Sequence, residues 1–532
     1  MVNERSTSSL PANDMKTMAL ARIEEEIIWH KLALSDLYIR RNTFSPIFCL
    51  PTEILATIFI LCARDCYLVI SLHNWWNVSH VCHHWREVAL NCPTLWTHIS
   101  KLPHRWTEEF LDRSKTAPLK IRITVPYTTQ VSRWVTTVEK VMQHAERIQE
   151  LSLDLPGIHG EEILSKLSSP APRLRTLRIA LGSSLSEQPL VLFDGDTPAL
   201  RTLEFSDCPV LPSSLKLNGL TTLKLFYFHL RPQQNVQELL ATLSCMQDLA
   251  QLHLDGALNH PVGFLSSATF NTFQKVNLPR LSRISIAAPL SAVIAFLSCI
   301  NNSSNAEFRL ECHCEDDPSM DNYSLLSSIL GQRFSVAEYQ EPASQAIRSL
   351  AIDSDMEDRT EILVFSSSER HFRISRSRME WGCNTPLQIL LVELRVDRDR
   401  VISDICRSIP LTHLQSVHVC DPPISSNFWM RTFGHLQNLR YIKLSQGSMP
   451  ELASLLDDHC TDASDQIFAP GLEELELENI TFTTDWDAFS LQSLEDAVST
   501  REQVQLIVNG CGVNDYADDG PGYCLYCEGS HY

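Results

Sequence analysis

Residues 50–59 read Leu-Pro-Thr-Glu-Ile-Leu-Ala-Thr-Ile-Phe, and this stretch decides the fold of the N-terminal part of the chain. Pro51 stands where a helix begins, because the missing N–H of proline has no intrahelical partner in the first turn. The apolar residues behind it recur at helical spacing, and they are Ile54, Leu55, Ile58, Phe59 and Cys62. The stretch therefore predicts an amphipathic helix that starts close to Pro51.

A second apolar stripe predicts another helix over 77–90. Its members are Val78, Val81, Cys82, Trp85, Val88 and Ala89. Asn91-Cys92-Pro93 ends this helix, and Leu95 and Trp96 complete a small helical unit over 46–100. One apolar face can form the core of the unit. So short a unit has nothing to cover the other face, and exposed apolar patches usually mark partners.

The residues before this unit predict one long helix. Residues 1–13 are polar and are expected to be disordered, whereas 14–45 has apolar positions alternately three and four residues apart. These positions are Leu20, Ile23, Ile27, His30, Leu34 and Leu37, with a histidine among apolar residues. The spacing fits a short coiled-coil seam. It also fits a helix laid on the next domain, and the sequence leaves both open.

From residue 148 onward one phrase recurs, namely an apolar residue, two others, an apolar residue, one other and an apolar residue. Ten copies start at Ile148, Leu174, Leu200, Leu220, Leu249, Leu281, Ile347, Leu414, Leu439 and Leu472. So loose a phrase arises often by chance, but four copies carry a proline two residues upstream. A proline there favours an extended entry into a strand. The two widest gaps each leave room for one decayed copy, at Phe308-Arg-Leu310 and at 391–396.

This phrase predicts a leucine-rich-repeat-like solenoid over 101–484. Each unit has a strand whose inward side chains cannot be buried alone, so stacked strands bury them together in one concave parallel sheet. A segment at about 352–380 breaks the rhythm and is interpreted as an insertion or a β-excursion. Residues 485–532 are acidic, which predicts a cap followed by a flexible tail.

The amino-acid composition argues against several classes of function. Lys plus Arg is 44 and Asp plus Glu is 64, for a net charge of −20. That balance argues against nucleic acid and anionic membranes as partners, since both select basic surfaces. Residues 1–10 are polar, so no signal peptide is expected, and no apolar run reaches the length of a membrane span. The 17 cysteines are then expected to be free thiols in a reducing cytoplasmic or nuclear compartment.

The sequence offers little for catalysis. It lacks the nucleophile-elbow, phosphate-loop, dinucleotide and zinc-protease motifs, so no catalytic residue and no cofactor are expected. Cys312-His313-Cys314 places neighbouring side chains on opposite faces of a strand, which disfavours one metal ion. Four soft ligands in the tail suit a tetrahedral zinc site, and they are Cys511, Cys524, Cys527 and His531. The alternative is an acidic end with spare thiols.

Residues 46–100 resemble an F-box. The matching phrases are Leu50-Pro51-x-Glu53-Ile54-Leu55-x-x-Ile58-Phe59, then Val78-Ser-x-Val81-Cys82-x-x-Trp85-Arg86-x-Val88-Ala89, then Pro93-x-Leu95-Trp96. The layout of the whole chain is similar to the F-box proteins with leucine-rich-like repeats found in mushroom-forming fungi. The resemblance implies a small all-helical F-box followed by an irregular horseshoe of the α+β or α/β solenoid class.

The resemblance also implies a role. An F-box binds a Skp-type adaptor, which docks on a cullin, and the repeats hold a protein substrate for ubiquitin transfer. Carried over by position, the adaptor contacts would be Leu50, Pro51, Ile54, Leu55, Ile58, Phe59, Val78, Val81, Trp85 and Trp96. Some of these would instead form the core of the helical unit. The expected function is that of a non-catalytic subunit of an SCF-type ubiquitin ligase whose concave strands bind a basic or mixed-charge substrate. The alternatives are an interaction protein that joins no ligase and, if the tail cluster is ordered, a metal-dependent enzyme.

Overall fold

In the computed structural model, a helical region at the N-terminus is followed by a large mixed α/β region with a 16-stranded sheet. The residues that the structure describes are 12–68, 75–100, 104–126, 131–155, 157–181, 192–207, 217–227, 236–258, 275–302, 306–314, 320–338, 346–354, 359–367, 385–421, 425–447, 451–456, 467–483 and 491–514. The chain divides into two compact units. Unit 1 comprises Met1–Thr124 and Ser132–Leu151, and unit 2 comprises Val125–Val131 and Ser152–Tyr532.

Unit 1 is mostly helical. In chain order its elements are α1 (Ala12–Thr43), a 3-10 helix (Pro46–Cys49), α2 (Thr52–Leu68), a 3-10 helix (Trp75–His80), α3 (His83–Leu90), a 3-10 helix (Pro93–Trp96), β1 (His98–Ser100), α4 (His104–Arg113), β2 (Leu119–Thr124), α5 (Val131–Met142) and a 3-10 helix (Ala145–Arg147). Strands β1 and β2 pair in parallel. Strand β3 (Ile148–Leu155) carries the chain into unit 2.

Unit 2 alternates strands with helices or loops. In chain order its elements are α6 (Gly157–Leu164), β4 (Thr176–Leu181), β5 (Thr202–Ser206), β6 (Thr222–Phe226), α7 (Val236–Ser244), β7 (Gln251–Asp255), β8 (Val276–Leu278), β9 (Arg283–Pro289), α8 (Leu290–Cys299), β10 (Ile300–Asn302), β11 (Glu307–His313), α9 (Met320–Glu338), β12 (Ser349–Ser354), β13 (Arg359–Phe365), β14 (Leu387–Val392), α10 (Arg398–Ser408), β15 (Ser416–Cys420), α11 (Ser426–Phe433), β16 (Tyr441–Ser445), α12 (Ala453–Leu456), β17 (Glu474–Glu478), β18 (Thr481–Thr483), α13 (Leu491–Ser499), β19 (Gln505–Asn509) and β20 (Gly512–Asn514).

The order of the large sheet in unit 2 is β4-β5-β6-β7-β9-β11-β14-β13-β12-β15-β16-β17-β19. Each of the ten copies of the sequence phrase coincides with the start of a strand or lies just before one. Every apolar residue of those copies is at most 5% exposed. The phrase therefore supplies the core, because its members point to the same buried side of the sheet.

Backbone contacts repeat with the strands. The N–H of Leu200 donates to Thr197, that of Leu220 to Leu217, and that of Leu414 to Leu411, so the same turn leads into each strand. A residue with φ between 47° and 66° directly follows many strands, and these residues are Asp207, Tyr227, Gly256, Glu393, Asp421, Gln446, Asn479 and Gly510. Turn and left-handed residue together mark a repeated unit of backbone structure.

The expectation of one parallel sheet is wrong at a single place. Strand β13 pairs antiparallel with both β12 and β14, and it lies inside the interruption expected at about 352–380. Ser354 and Arg359 are too close in the chain for the crossover of a dozen or more residues that a parallel pair requires. Strand β13 therefore runs in the opposite direction to β12 and β14. Residues 355–358 and 368–380 of that interruption lie outside the described residues.

The stability of this sheet is expected to depend on pH through His253 on β7. Its ring lies 4.6 Å from that of Phe226, and burial, with Lys224 and Arg309 nearby, lowers its pKa to about 4. Since this lies below the ordinary value of 6.5, the unfolded chain binds the proton more tightly. The stability contributed by neutral His253 is therefore complete above pH 6.5 and is lost as the pH falls toward 4.

We expect the free energy of unfolding to drop by roughly 2 kcal/mol over this range because of His253 alone, after allowance for its partial exposure. Urea titrations of the full chain between pH 7 and pH 4 measure the drop. His253→Gln should show a smaller drop than the wild type. If the free energy of unfolding of this variant fell as much between pH 7 and pH 4 as that of the wild type, His253 would not be the group responsible.

Candidate functional site

Helix α2 carries two apolar stripes. Leu55, Phe59 and Ala63 are 0%, 1% and 4% exposed and face the core of unit 1. Ile54 and Leu61 are 49% and 52% exposed, and at seven residues apart they lie almost one above the other on the helix. Ile58 lies between them and is half-buried. One helix therefore supplies both core and an uncovered apolar surface, which we call the α2 stripe (Ile54, Ile58 and Leu61).

An aromatic cluster holds the core in place. The rings of Trp75, Trp96 and Phe110 are mutual neighbours, with centroids 5.0–5.9 Å apart. The indole Nε1–H of Trp96 donates to the carbonyl of Ala89 at 2.9 Å, so its polar atom is satisfied in the interior. The guanidinium of Arg113 lies 4.3 Å from the Trp96 ring centroid. This arrangement fixes the 3-10 helix at Pro93–Trp96 against the rest of the unit.

The second predicted helix, over 77–90, is two elements in the structure. A 3-10 helix covers Trp75–His80, and α3 begins only at His83. Cys82 between them is extended, and its Sγ accepts from the backbone N–H of Trp85 at 3.5 Å. The break follows from Trp75, which packs into the aromatic cluster and fixes the chain before the helix cap. Val78 therefore belongs to the 3-10 helix, and Val81 precedes α3.

The structure divides the ten residues predicted to contact an adaptor into three groups. It places Leu55, Phe59 and Trp96 in the core, at no more than 2% exposure. Leu50, Ile58, Val78 and Trp85 are half-buried, and Pro51, Ile54 and Val81 are exposed. Phe59 and Trp85 also contact each other, with ring centroids 5.0 Å apart. The seven residues outside the core remain available to a partner.

Sequence reasoning missed two exposed apolar residues beside this set. Leu61 belongs to the α2 stripe, and Ile47 in the 3-10 helix before α2 is 39% exposed. The signal for Leu61 was present, because it stands seven residues after Ile54. Charge is sparse on this surface: within 50–62 the only ionisable side chains are those of Glu53 and Cys62. A surface with so few charges can desolvate against an apolar partner.

The zinc hypothesis falls largely outside the described residues. Cys524, Cys527 and His531 lie there, whereas Cys511 is buried with its Sγ 3.5 Å from the carbonyl oxygen of Asn509. Within the described residues, no group of three or more His, Cys, Asp or Glu side chains is placed to hold a metal ion. Cys312 is buried in β11, where burial raises the pKa of its thiol, while the neighbouring His313 is exposed.

Among the residues that the structure describes, no helix combines the length and the apolar character needed to cross a bilayer.

Comparison with known families identifies one match. Residues 47–101 match the F-box-like family, and this range contains α2, α3, the aromatic residues Trp75 and Trp96, and the exposed α2 stripe. Among curated proteins, none matches the chain. The match covers the helical unit that the sequence singles out, and it suggests a role in adapting substrates to SCF-type ubiquitin ligases. Proteins with this domain are typically non-catalytic adaptors.

The two faces of α2 predict different costs for neighbouring substitutions. Leu55→Ala should destabilise unit 1 by about 2–5 kcal/mol, because it opens a cavity in a packed core. Ile54→Ala should cost less than about 1 kcal/mol, because the side chain is half in solvent. Urea unfolding followed by tryptophan fluorescence would compare the two, and equal losses would contradict the assignment of the faces.

Proposed function

We propose that this chain is a non-catalytic substrate-recognition subunit of an SCF-type ubiquitin ligase. The observation that carries the proposal is the coincidence of the F-box-like match at 47–101 with an uncovered apolar stripe on α2. Exposed apolar patches of this kind usually mark protein interfaces. The compartment expected for such a subunit is the cytoplasm, the nucleus or both.

The proposed contact surface for a Skp-type adaptor is smaller than the family pattern alone implies. It comprises the predicted residues that lie outside the core together with Leu61, namely Leu50, Pro51, Ile54, Ile58, Leu61, Val78, Val81 and Trp85. Leu55, Phe59 and Trp96 then act indirectly by holding α2 and the 3-10 helix in position. A cullin would be reached through the adaptor.

We further propose that the strands of unit 2 are leucine-rich-like repeats of a horseshoe solenoid and that their polar side binds a protein substrate. Support comes from the turn that precedes several strands and from the left-handed residue that follows many of them. It also comes from the charges on the side of the sheet opposite the buried phrase. There Arg178 Nε lies 3.2 Å from Glu204 Oε2, and Lys224 Nζ lies 3.9 Å from the same oxygen. Such mixed charge suits a substrate that is itself mixed in charge.

Strand β17 adds negative charge to that surface. Glu474, Glu476 and Glu478 alternate along it on one side. Lys443 on the neighbouring β16 pairs with both Glu476 and Glu478, at 2.9 and 2.7 Å, so one lysine of β16 faces two carboxylates of β17. Basic segments of a substrate are therefore the expected neighbours of β17.

The test is co-purification of the full chain with a Skp-type adaptor. Ile54→Asp combined with Leu61→Asp should abolish stoichiometric binding, because it places two charges in the proposed apolar interface. Ile60→Asp is the matched control. Ile60 is 38% exposed on the same helix but points away from the stripe by about a third of a turn, so the control should bind like the wild type.

Circular dichroism of each variant establishes that folding is unaffected. A wild-type chain that is folded and does not bind any Skp-type adaptor would refute the proposal. Binding that survives the double substitution would refute the assignment of the surface while leaving the adaptor role in place.

A further inference from the structure

Helix α1 leaves nearly all of its apolar side chains uncovered. It runs for 32 residues, a length of about 48 Å, and every side chain from Met15 to Arg41 except that of Ala33 is exposed. The prediction that this helix is laid on the neighbouring helical domain is therefore not what the structure shows. Most of the stability of a helix in a protein comes from packing, so a helix whose apolar side chains lie in water gains stability when a partner covers them.

One face of α1 has the spacing of a coiled-coil seam. Its positions follow each other by three and four residues alternately, and they are Leu20, Ile23, Ile27, His30, Leu34 and Leu37. The five apolar members are 46–59% exposed. The opposite face is interrupted by Glu25 and Ser35. A period of 3.5 residues matches a second supercoiled helix better than the surface of a globular domain.

The charges beside the seam argue for a second copy of the same helix. In a parallel pair, Glu26 on one helix flanks the seam opposite Lys31 on the other. In the antiparallel register that sets Leu20 against Leu37, Glu24 takes that place opposite Lys31. Lys31 meets a glutamate in both arrangements, and symmetry doubles each contact. The seam is therefore complementary to itself in shape and in charge.

We propose that the chain forms a homodimer through a two-stranded coiled coil of α1 helices that buries the seam from Leu20 to Leu37. His30 is the one polar residue in this seam, and a single polar core position fixes register at some cost in stability. The proposal is independent of the adaptor function. It concerns the chain alone and is tested without any adaptor present.

Sedimentation velocity of the full chain at tens of micromolar gives the mass in solution, and the expected result is a dimer. Ile23→Asp combined with Ile27→Asp should raise the dissociation constant by roughly two orders of magnitude or more, since it places four charges in the paired seam. The matched control is Ile28→Asp combined with Leu32→Asp, which removes equally exposed apolar residues from outside the seam. The control should remain dimeric.

A charge exchange tests the flanking contacts. Lys31→Glu should weaken the dimer, and adding Glu24→Lys and Glu26→Lys to it should restore the dimer, because the opposite charges are paired again. A wild-type chain that is monomeric at this concentration would overturn the proposal. So would a loss of the dimer in the control equal to that in the seam variant, which would indicate unspecific association. A folded chain is verified in every case by circular dichroism.

Discussion

The fold of unit 2 depends on the burial of the three apolar residues in each copy of the sequence phrase, which we call its triplet. Neighbouring strands bury these triplets together. No copy can remove its triplet from water alone, since one short strand and its turn have no interior. The triplets of Leu200, Leu220 and Leu249 lie side by side because β5, β6 and β7 pair residue for residue in parallel. The hydrogen bonds between neighbouring strands therefore depend on the burial of the triplets, and the burial depends on the hydrogen bonds. The loss of one strand exposes the sides of its two neighbours.

Arginine side chains donate hydrogen bonds to the last carbonyl groups of several helices. Arg333 donates to the carbonyl of Ile300 at 2.7 Å and also to that of Leu297, at the end of α8. Arg501 donates to Leu455 at the end of α12, and in unit 1 Arg147 donates to Leu111 near the end of α4. The last carbonyls of a helix lack intrahelical partners and carry partial negative charge. An arginine from a later part of the chain therefore satisfies them and holds successive elements together.

Much of this arrangement could be predicted from the sequence, because the apolar phrase carries both the strand and its buried side. The phrase fails where its spacing changes. Strand β19 carries Leu506, Ile507 and Val508 in succession, and Gln503 stands where the phrase would need its first apolar residue. The pattern therefore places this strand in the acidic tail. The remnant proposed at 391–396 has the wrong register, since Leu387 and Ile389 are the residues in line with Phe308 and Leu310. Asn384 stands where that copy would need its first apolar residue, which removes the signal.

The helical unit was predictable in composition but not in detail. Periodicity identifies the apolar residues of α2, yet it cannot separate Leu55 from Ile54, because neighbours on a broad apolar face differ only in what packs against them. That distinction is set by tertiary packing, because α3 and the 3-10 helices Trp75–His80 and Pro93–Trp96 contact α2 from one side. Trp75 also breaks the predicted second helix, a tertiary effect that no local pattern contains.

The two units use apolar residues in opposite ways, and this contrast bears on what the chain does. In unit 2 the repeated triplets are buried almost completely, and the charged side chains are left on the other side of the sheet. In unit 1, α1 and α2 leave isoleucine and leucine side chains half in water along seams of helical spacing. Uncovered surface of this kind costs solubility and usually marks an interaction site. The chain therefore exposes apolar surface in unit 1 and a polar, charge-patterned surface in unit 2. That division is the one expected of a protein that joins an assembly through one part and selects a partner through another.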